Sequence, residues 1–244
     1  MRRFTKGFGL LALGAAVASS SCVDNDSSFF IYGVMDITSS QCIAKPDISA
    51  AFIPEGTLDR EFADGYQAAL LVGSHLTQRG SREKLRTETA RLSITGAHIT
   101  LYGTQGAVIE FDTPATGLVN PASSTDPGLA SVFARLVRYE DIPKLGPDGQ
   151  MIARIKILGT TLGGQDIESG VFDYPIKLCT RCLIVYPADA LSPDPPHLCD
   201  QVSETGSTSD NPICFFGQDN YFPCTVCAAK YDACLDPNAP PTMP

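Results

Sequence analysis

Histidine is scarce in this chain of 244 residues. His75, His98 and His197 are scattered, without the H-E-x-x-H spacing of a zinc protease. No G-x-S-x-G elbow is present, which removes the usual hydrolase nucleophile. Gly73-Ser74-His75 does set a serine beside a histidine, but neighbours on a strand point to opposite faces and cannot meet as nucleophile and base. The Gly-rich Gly159 to Gly164 run lacks the Lys-Ser/Thr of a phosphate loop and reads as a hairpin connection. Asp24-Asn25-Asp26 opens like a calcium loop but lacks the glycine and distal glutamate, so it reads as solvated tether. Tryptophan, long like-charge runs and internal repeats are also absent, which excludes a repeat array. No catalytic residue, metal ligand or cofactor is expected from these patterns.

The N-terminus carries a positive signal of its own. Arg2, Arg3 and Lys6 precede an almost unbroken apolar run from Phe8 to Ala18, then small residues lead into Cys22. That is the layout of a secretory signal, and the run is shorter than the roughly 20 residues a membrane span needs. Two cleavages compete. Ala16-Val17-Ala18 fits an ordinary signal peptidase and would release a chain beginning at Ser19. Alternatively, Cys22 is acylated and becomes the new N-terminus, from a lipobox in which Ser19 replaces the usual aliphatic residue.

Cysteine parity favours lipidation. Of nine cysteines, acylating Cys22 leaves Cys42, Cys179, Cys182, Cys199, Cys214, Cys224, Cys227 and Cys234, an even set for disulfides in an oxidising compartment. Residues 1–21 are therefore expected to be a signal peptide and 22–28 a tether. Val23 follows the cysteine where an acidic retention signal could stand, so the expected address is the outer membrane, on either face. The expected partner is the lipid bilayer, through acyl chains of palmitate type, with another envelope protein or a glycan as a further possibility.

Removing the three basic leader residues takes the net charge from −9 to −12. Such an acidic surface repels nucleic acid and anionic head groups. The 223 residues that remain suffice for one sizeable core.

Over 29–187 the pattern is mostly period-two. Phe29 to Ile37, Tyr66 to Leu76 and Ala107 to Phe111 read as strands. In Arg91 to Tyr102, Leu92 and Ile94 occupy one parity and Ala97, Ile99 and Leu101 the other. One extra residue near Gly96 restores a single buried face, so a β-bulge is expected there. Ile152 to Leu158 and Val171 to Leu178 look like a pair. Ala153, Ile155, Ile157, Phe172, Tyr174, Ile176 and Leu178 would face inward, with Arg154, Lys156, Asp173 and Lys177 outside. Gly128 to Tyr139 fits a helix by spacing, yet its Val and Phe content and its neighbours favour a strand. A short helix around Arg82 to Thr87 is a further possibility. The expected fold is mainly β: an immunoglobulin-like or fibronectin-like β-sandwich.

Residues 188–235 form the expected small cystine-rich C-terminal appendix, followed by a Pro-rich disordered tail over 236–244. Four disulfides among eight cysteines allow 105 connectivities. Cys42, remote in sequence, is expected to tie the N-terminal part of the sandwich to the cystine-rich end. Cys224, Cys227, Tyr231 and Cys234 share one helical face. The two CxxC pairs, Cys179/Cys182 and Cys224/Cys227, admit structural zinc or redox chemistry beside the disulfide reading, with Cys224 at a helix start behind Pro223. Phe215, Phe216, Tyr221 and Phe222 crowd one cross-linked loop, either as an exposed binding patch or as a cover for an end of the sandwich.

Several stretches resemble a group of uncharacterised cysteine-rich lipoproteins of myxobacterial type. They are Thr160-Thr-Leu-Gly-Gly-Gln-Asp-Ile-Glu-Ser-Gly170, Tyr174-Pro-Ile176, Cys179-Thr-Arg-Cys182, Leu85-Arg-Thr-Glu-Thr89 and Phe216-Gly-Gln-Asp219 with Cys224-x-x-Cys227. The resemblance implies a lipidated N-terminus, a β-rich body and a cystine-rich end. It implies no activity.

Overall fold

The computed structural model describes residues 28–38, 41–80, 87–123, 125–186, 213–227 and Cys234. The expected signal peptide, most of the tether, residues 82–86 of the helix proposed at 82–87, most of the expected appendix, including Cys199 and Tyr231, and the C-terminal tail lie outside them. The chain is mainly β.

Three strands, β1 (Phe29–Val34), β3 (Gly65–Ser74) and β7 (Gly128–Arg138), form a sheet in the order β1-β3-β7. A larger sheet runs β2-β10-β8-β4-β5, built from β2 (Gly56–Asp59), β4 (Leu92–Tyr102), β5 (Val108–Thr113), β8 (Gly149–Thr161) and β10 (Phe172–Cys179). Short β6 (Gly117–Val119) pairs with β4, and β9 (Asp166–Glu168) with β8. The two sheets share one core, with Leu70, Val72, Val132 and Leu136 packed against Leu92, Ile99, Ile155 and Ile176. That is a β-sandwich. β2 lies parallel to β10 at the edge of an otherwise antiparallel sheet, and this strand order does not show the immunoglobulin-like or fibronectin-like type expected from the sequence.

Period-two patterning explains most of this. Ala153, Ile155 and Ile157 are buried while Arg154 is exposed, and β10 answers with buried Tyr174, Ile176 and Leu178 in antiparallel register. The register of β4 against β8 shifts between Ile94 and Gly96, the extra residue that the change of parity in β4 demands. Gly128–Arg138 is a strand, followed by a 3₁₀ turn over Tyr139–Lys144. Its helical spacing was overridden because Ala130, Val132, Ala134 and Leu136 alternate into the core.

The outer face of β3 is also buried. Ala69 and Leu71 pack with Met35, Ile37, Ala44, Ala50 and Phe215, beneath the connection from β1 to β2. Cys42 and Cys214, 172 residues apart in sequence, are joined there. The expected tie between the start of the sandwich and the cystine-rich end is thus present.

The strand directions give the sandwich two distinct ends. Ser28, the turn from β8 to β9 and the start of β10 lie at one, since Gly170 N donates to the Phe29 carbonyl and His75 N to that of Ser28. The Cys179 and Cys214 loops lie at the other. There a parallel pair of two-residue strands, β11 (Ile184–Val185) and β12 (Phe222–Pro223), leads into the turn α1 (Cys224–Cys227).

Candidate functional site

The polar groups of the molecule converge at the cystine-rich end. Gly217 has φ +71° and backs onto the chain so closely that a Cβ would sit 2.6 Å from the Ala63 nitrogen. This turn aims the next two side chains at the sandwich. Gln218 acts as a substitute strand: its Oε1 accepts from Gln67 N at 2.8 Å and its Nε2 donates to Gln67 O at 2.8 Å. Asp219, also left-handed at φ +60°, accepts from Thr57 N (2.7 Å), the Tyr66 hydroxyl (2.9 Å) and Gln218 Nε2 (3.0 Å). The Tyr66 hydroxyl in turn lies 3.0 Å from that of Tyr174. Burial pushes the Asp219 carboxyl up, against the pull of Thr57, Gln218 and Tyr66. Tyr66 is held well above the ordinary phenol value by burial and by the neighbouring Asp219 charge. Burial likewise raises Tyr174.

A second buried carboxylate organises the CxxC loop. Asp59, fully buried at the end of β2, accepts from the backbone N–H of Glu61 (3.2 Å), Arg181 (2.9 Å) and Leu183 (3.0 Å). Burial raises its pKa, against the opposing pull of these donors and of Cys182 N. Arg181 sits at φ +57° and reaches Glu61 at 3.6 Å, and Cys179 is bonded to Cys182 inside the loop.

The remaining cysteine geometry follows the disulfide reading of the two CxxC pairs rather than its two alternatives. Cys227 pairs with Cys234 and Cys224 is itself disulfide-bonded, so the second CxxC is not a vicinal redox pair. The turn begun at Cys224 places Cys227 and Cys224 toward different partners. For zinc, Cys179, Cys182, Cys224 and Cys227 are all in cystines, which carry no thiolate to offer a metal.

The aromatic loop divides. Phe222 is fully buried and packs with Phe62 and Phe216, at ring separations of 5.3 Å and 4.4 Å. Phe215 is half-buried on the outer face of β3. Only Tyr221 of the four is exposed, at 72%. An exposed binding patch of Phe215, Phe216, Tyr221 and Phe222 is therefore replaced by a cover over the end of the sandwich. The second small core, with Leu183 and Ile184, needs the rings more than solvent does.

His98 lies on the outer face of β4, with Nδ1 2.7 Å from Asp112 and Nε2 2.8 Å from Glu110. Its hydrogen bond to Asp112 and the further partner Glu110 raise its pKa against slight burial. Ser74 is buried while His75 is exposed, so the two diverge as strand neighbours must. The Gly159 to Gly164 run is a hairpin, turning at Gly164 with φ +83°. Among the described residues are several open recesses, and one of about 240 Å³ lies at the cystine-rich end, lined by Asp64, Gln67, Arg135, Phe215 and Gln218. A second, of about 200 Å³, lies in the β1–β2 connection, lined by Met35, Ile43, Lys45 and Asp47. Another, of about 120 Å³, is lined by Thr77, Arg79, Thr161 and Gln165.

Asp59, Asp219 and Gln218 escape sequence reasoning because single buried polar residues carry no period. The signal that could have found them is Gly217-Gln-Asp219 after a cysteine: a turn residue that delivers two hydrogen-bonding side chains to one place.

No family model matches the chain, and no curated protein matches it. Among solved structures, a late embryogenesis abundant (LEA) protein matches with 17% identity, covering 52% of this chain and 72% of its own, at a TM-score of 0.28. At that score the likeness decides neither fold nor function.

Proposed function

We propose that this chain is an exported, non-enzymatic envelope protein, held through an acylated Cys22 to the outer membrane and serving a structural, adhesive or binding role. The observation that supports the reading is the disulfide between Cys42 and Cys214. A bridge closing 172 residues belongs to an oxidising compartment, where the secretory pattern of residues 1–21 would deliver the chain. The buried carboxylates agree with it, because their acceptor sites are occupied by backbone and tyrosine donors that join the two parts of the molecule. Cell fractionation of Cys22→Ser tests the anchor: the variant is expected in the soluble fraction and the wild type with membranes. Equal membrane partition of both removes the lipoprotein reading. Turnover dependent on a recess residue in an activity screen removes the non-enzymatic one.

A second reading, thiol-disulfide exchange, is favoured at one place only. Cys179 and Cys182 form a short-loop bridge beside the buried Asp59, whose carboxyl, raised by burial, could give a proton to the departing thiolate. Mild dithiol treatment followed by thiol labelling separates the readings. Exchange predicts selective labelling of Cys179 and Cys182, whereas a structural bridge resists together with the others.

A further inference from the structure

The tether is short compared with the body it would hold. From Cys22 to Ser28 the chain can span at most about 20 Å, at roughly 3.5 Å per residue. β3, ten residues long, crosses the sandwich from end to end, a distance of about 30 Å. Ser28 emerges at the end that carries His75 and Gly170, opposite the Cys179 and Cys214 loops. An acyl group on Cys22 therefore keeps this end within about 20 Å of the membrane, whereas the cystine-rich end is free to stand farther away.

The side chains at that end suit an interface. Val171, next to the Gly170 that bonds Phe29, is 51% exposed; Leu162, in the β8–β9 turn, is 55% exposed. Tyr32 stands 41% exposed beside Phe30, and amphipathic rings of this kind favour the head-group level. The recess lined by Thr77, Arg79, Thr161 and Gln165 opens at the same end, offering one guanidinium and several neutral donors to a phosphodiester. Exposed apolar groups occur at the far end too, Tyr221 among them, so exposure does not choose between the ends. The tether does.

We infer that the tether end of the sandwich is a lipid-facing surface, seating Leu162 and Val171 in the bilayer interface and projecting the cystine-rich end away from it. The inference rests on the acylation of Cys22 proposed above. It adds a second point of attachment beside the acyl chains.

The absence of tryptophan supplies the test. Val171→Trp, Leu162→Trp and Tyr221→Trp each install a single reporter at an exposed position, so folding is spared. The acylated full chain is reconstituted into phosphatidylcholine vesicles whose acyl chains are brominated near the head group. Emission at positions 171 and 162 is expected to fall about twofold or more against unbrominated vesicles, while position 221 is unchanged, because bound apolar groups sit only ~5–10 Å into the interface. Flotation of the protein with vesicles but unquenched emission at 171 and 162 overturns this surface alone. Quenching at 221 equal to that at 171 overturns the orientation. Failure to float removes the acyl anchor, and this surface with it.

Discussion

Across β8 and β10 the chain is held by rows of aliphatic side chains, each strand burying every second residue against the opposite sheet. Between Cys179 and Leu183, and again from Gly217 to Phe222, it is held otherwise. Asp59, fully buried, and Asp219, half-buried, grip the backbone, three aromatic rings interlock, and disulfides fasten the loops. The first region draws stability from area, spread over many residues so that no single one dominates. The second has few apolar residues and concentrates its stability in a handful of covalent and charged contacts. The lesson is that fragility to point mutation should be sharply unequal between the two.

The largest effect is expected from removing the long bridge. The double variant Cys42→Ala, Cys214→Ala should lose on the order of 5 kcal/mol in the chain-entropy account of so long a loop, less any native strain. Urea unfolding of wild type and variant measures it; a midpoint shift equivalent to under ~1 kcal/mol would show that the remaining contacts hold the cystine-rich end unaided.

Asp59→Ala comes next. It strands the N–H groups of Glu61, Arg181 and Leu183, and a loss of roughly 3–5 kcal/mol is expected from several charge-assisted bonds broken together. A conservative core change in the sandwich, Ile155→Val, should lose only about 1 kcal/mol. Equal midpoints for these two variants would erase the contrast between the regions.

Acid separates them further. Burial holds Asp59 and Asp219 above the ordinary carboxylate value, so the folded state binds their protons more tightly than the unfolded chain does. Their contribution favours folding at low pH and diminishes as pH rises from the unfolded value through the raised one. Asp141, under the sandwich, behaves in the opposite sense. Burial raises it, but bonds from Arg138 (2.6 Å) and Lys144 (3.0 Å) outweigh that and hold it low. Its stability is present above the unfolded value of about 3.9 and disappears as pH falls through the depressed one. Asp141→Asn should thus lose about 2 kcal/mol at neutral pH, and the gap to wild type should close toward pH 3. A gap that stays constant with pH would remove the ion-pair account.

The smallest effect belongs to His98. Its pKa is raised, so its pairs with Asp112 and Glu110 contribute below the ordinary histidine value and fade as pH climbs through the raised one. The imidazole is about a third exposed and its partners more so, which limits the effect to a few tenths of a kcal/mol. His98→Gln should match wild type in urea at pH 8 and fall slightly short at pH 5.5.

Legibility followed the same divide. Ala153, Ile155 and Ile157, the parity change at Gly96 and the strand at 128–138 could be read from the chain because a half-buried strand writes its faces alternately into the sequence. The long reach of Cys42 was readable from its isolation. The Asp59 and Asp219 contacts were not, because a side chain that binds backbone across more than a hundred residues leaves no local pattern. Neither was the pairing of Cys227 with Cys234, since a CxxC spacing allows bridging within the motif or to either side of it. Of the two readings of the aromatic run, the cover over an end of the sandwich is the one that the packing of Phe216 and Phe222 against Phe62 supports.

Gln218 carries a consequence for the newly made protein. β1 bonds the free side of β3 only as far as Ala69, through Met35 N, and the amide of Gln218 completes that side at Gln67. Before Cys214 meets Cys42, the bridge four residues ahead of this plug does not yet hold it in place. A reduced chain then offers the N–H and C=O of Gln67 as an open sheet margin, the kind of surface on which like molecules stack into aggregates. Formation of the Cys42–Cys214 bridge fastens the segment that carries Gln218 and so holds this margin closed.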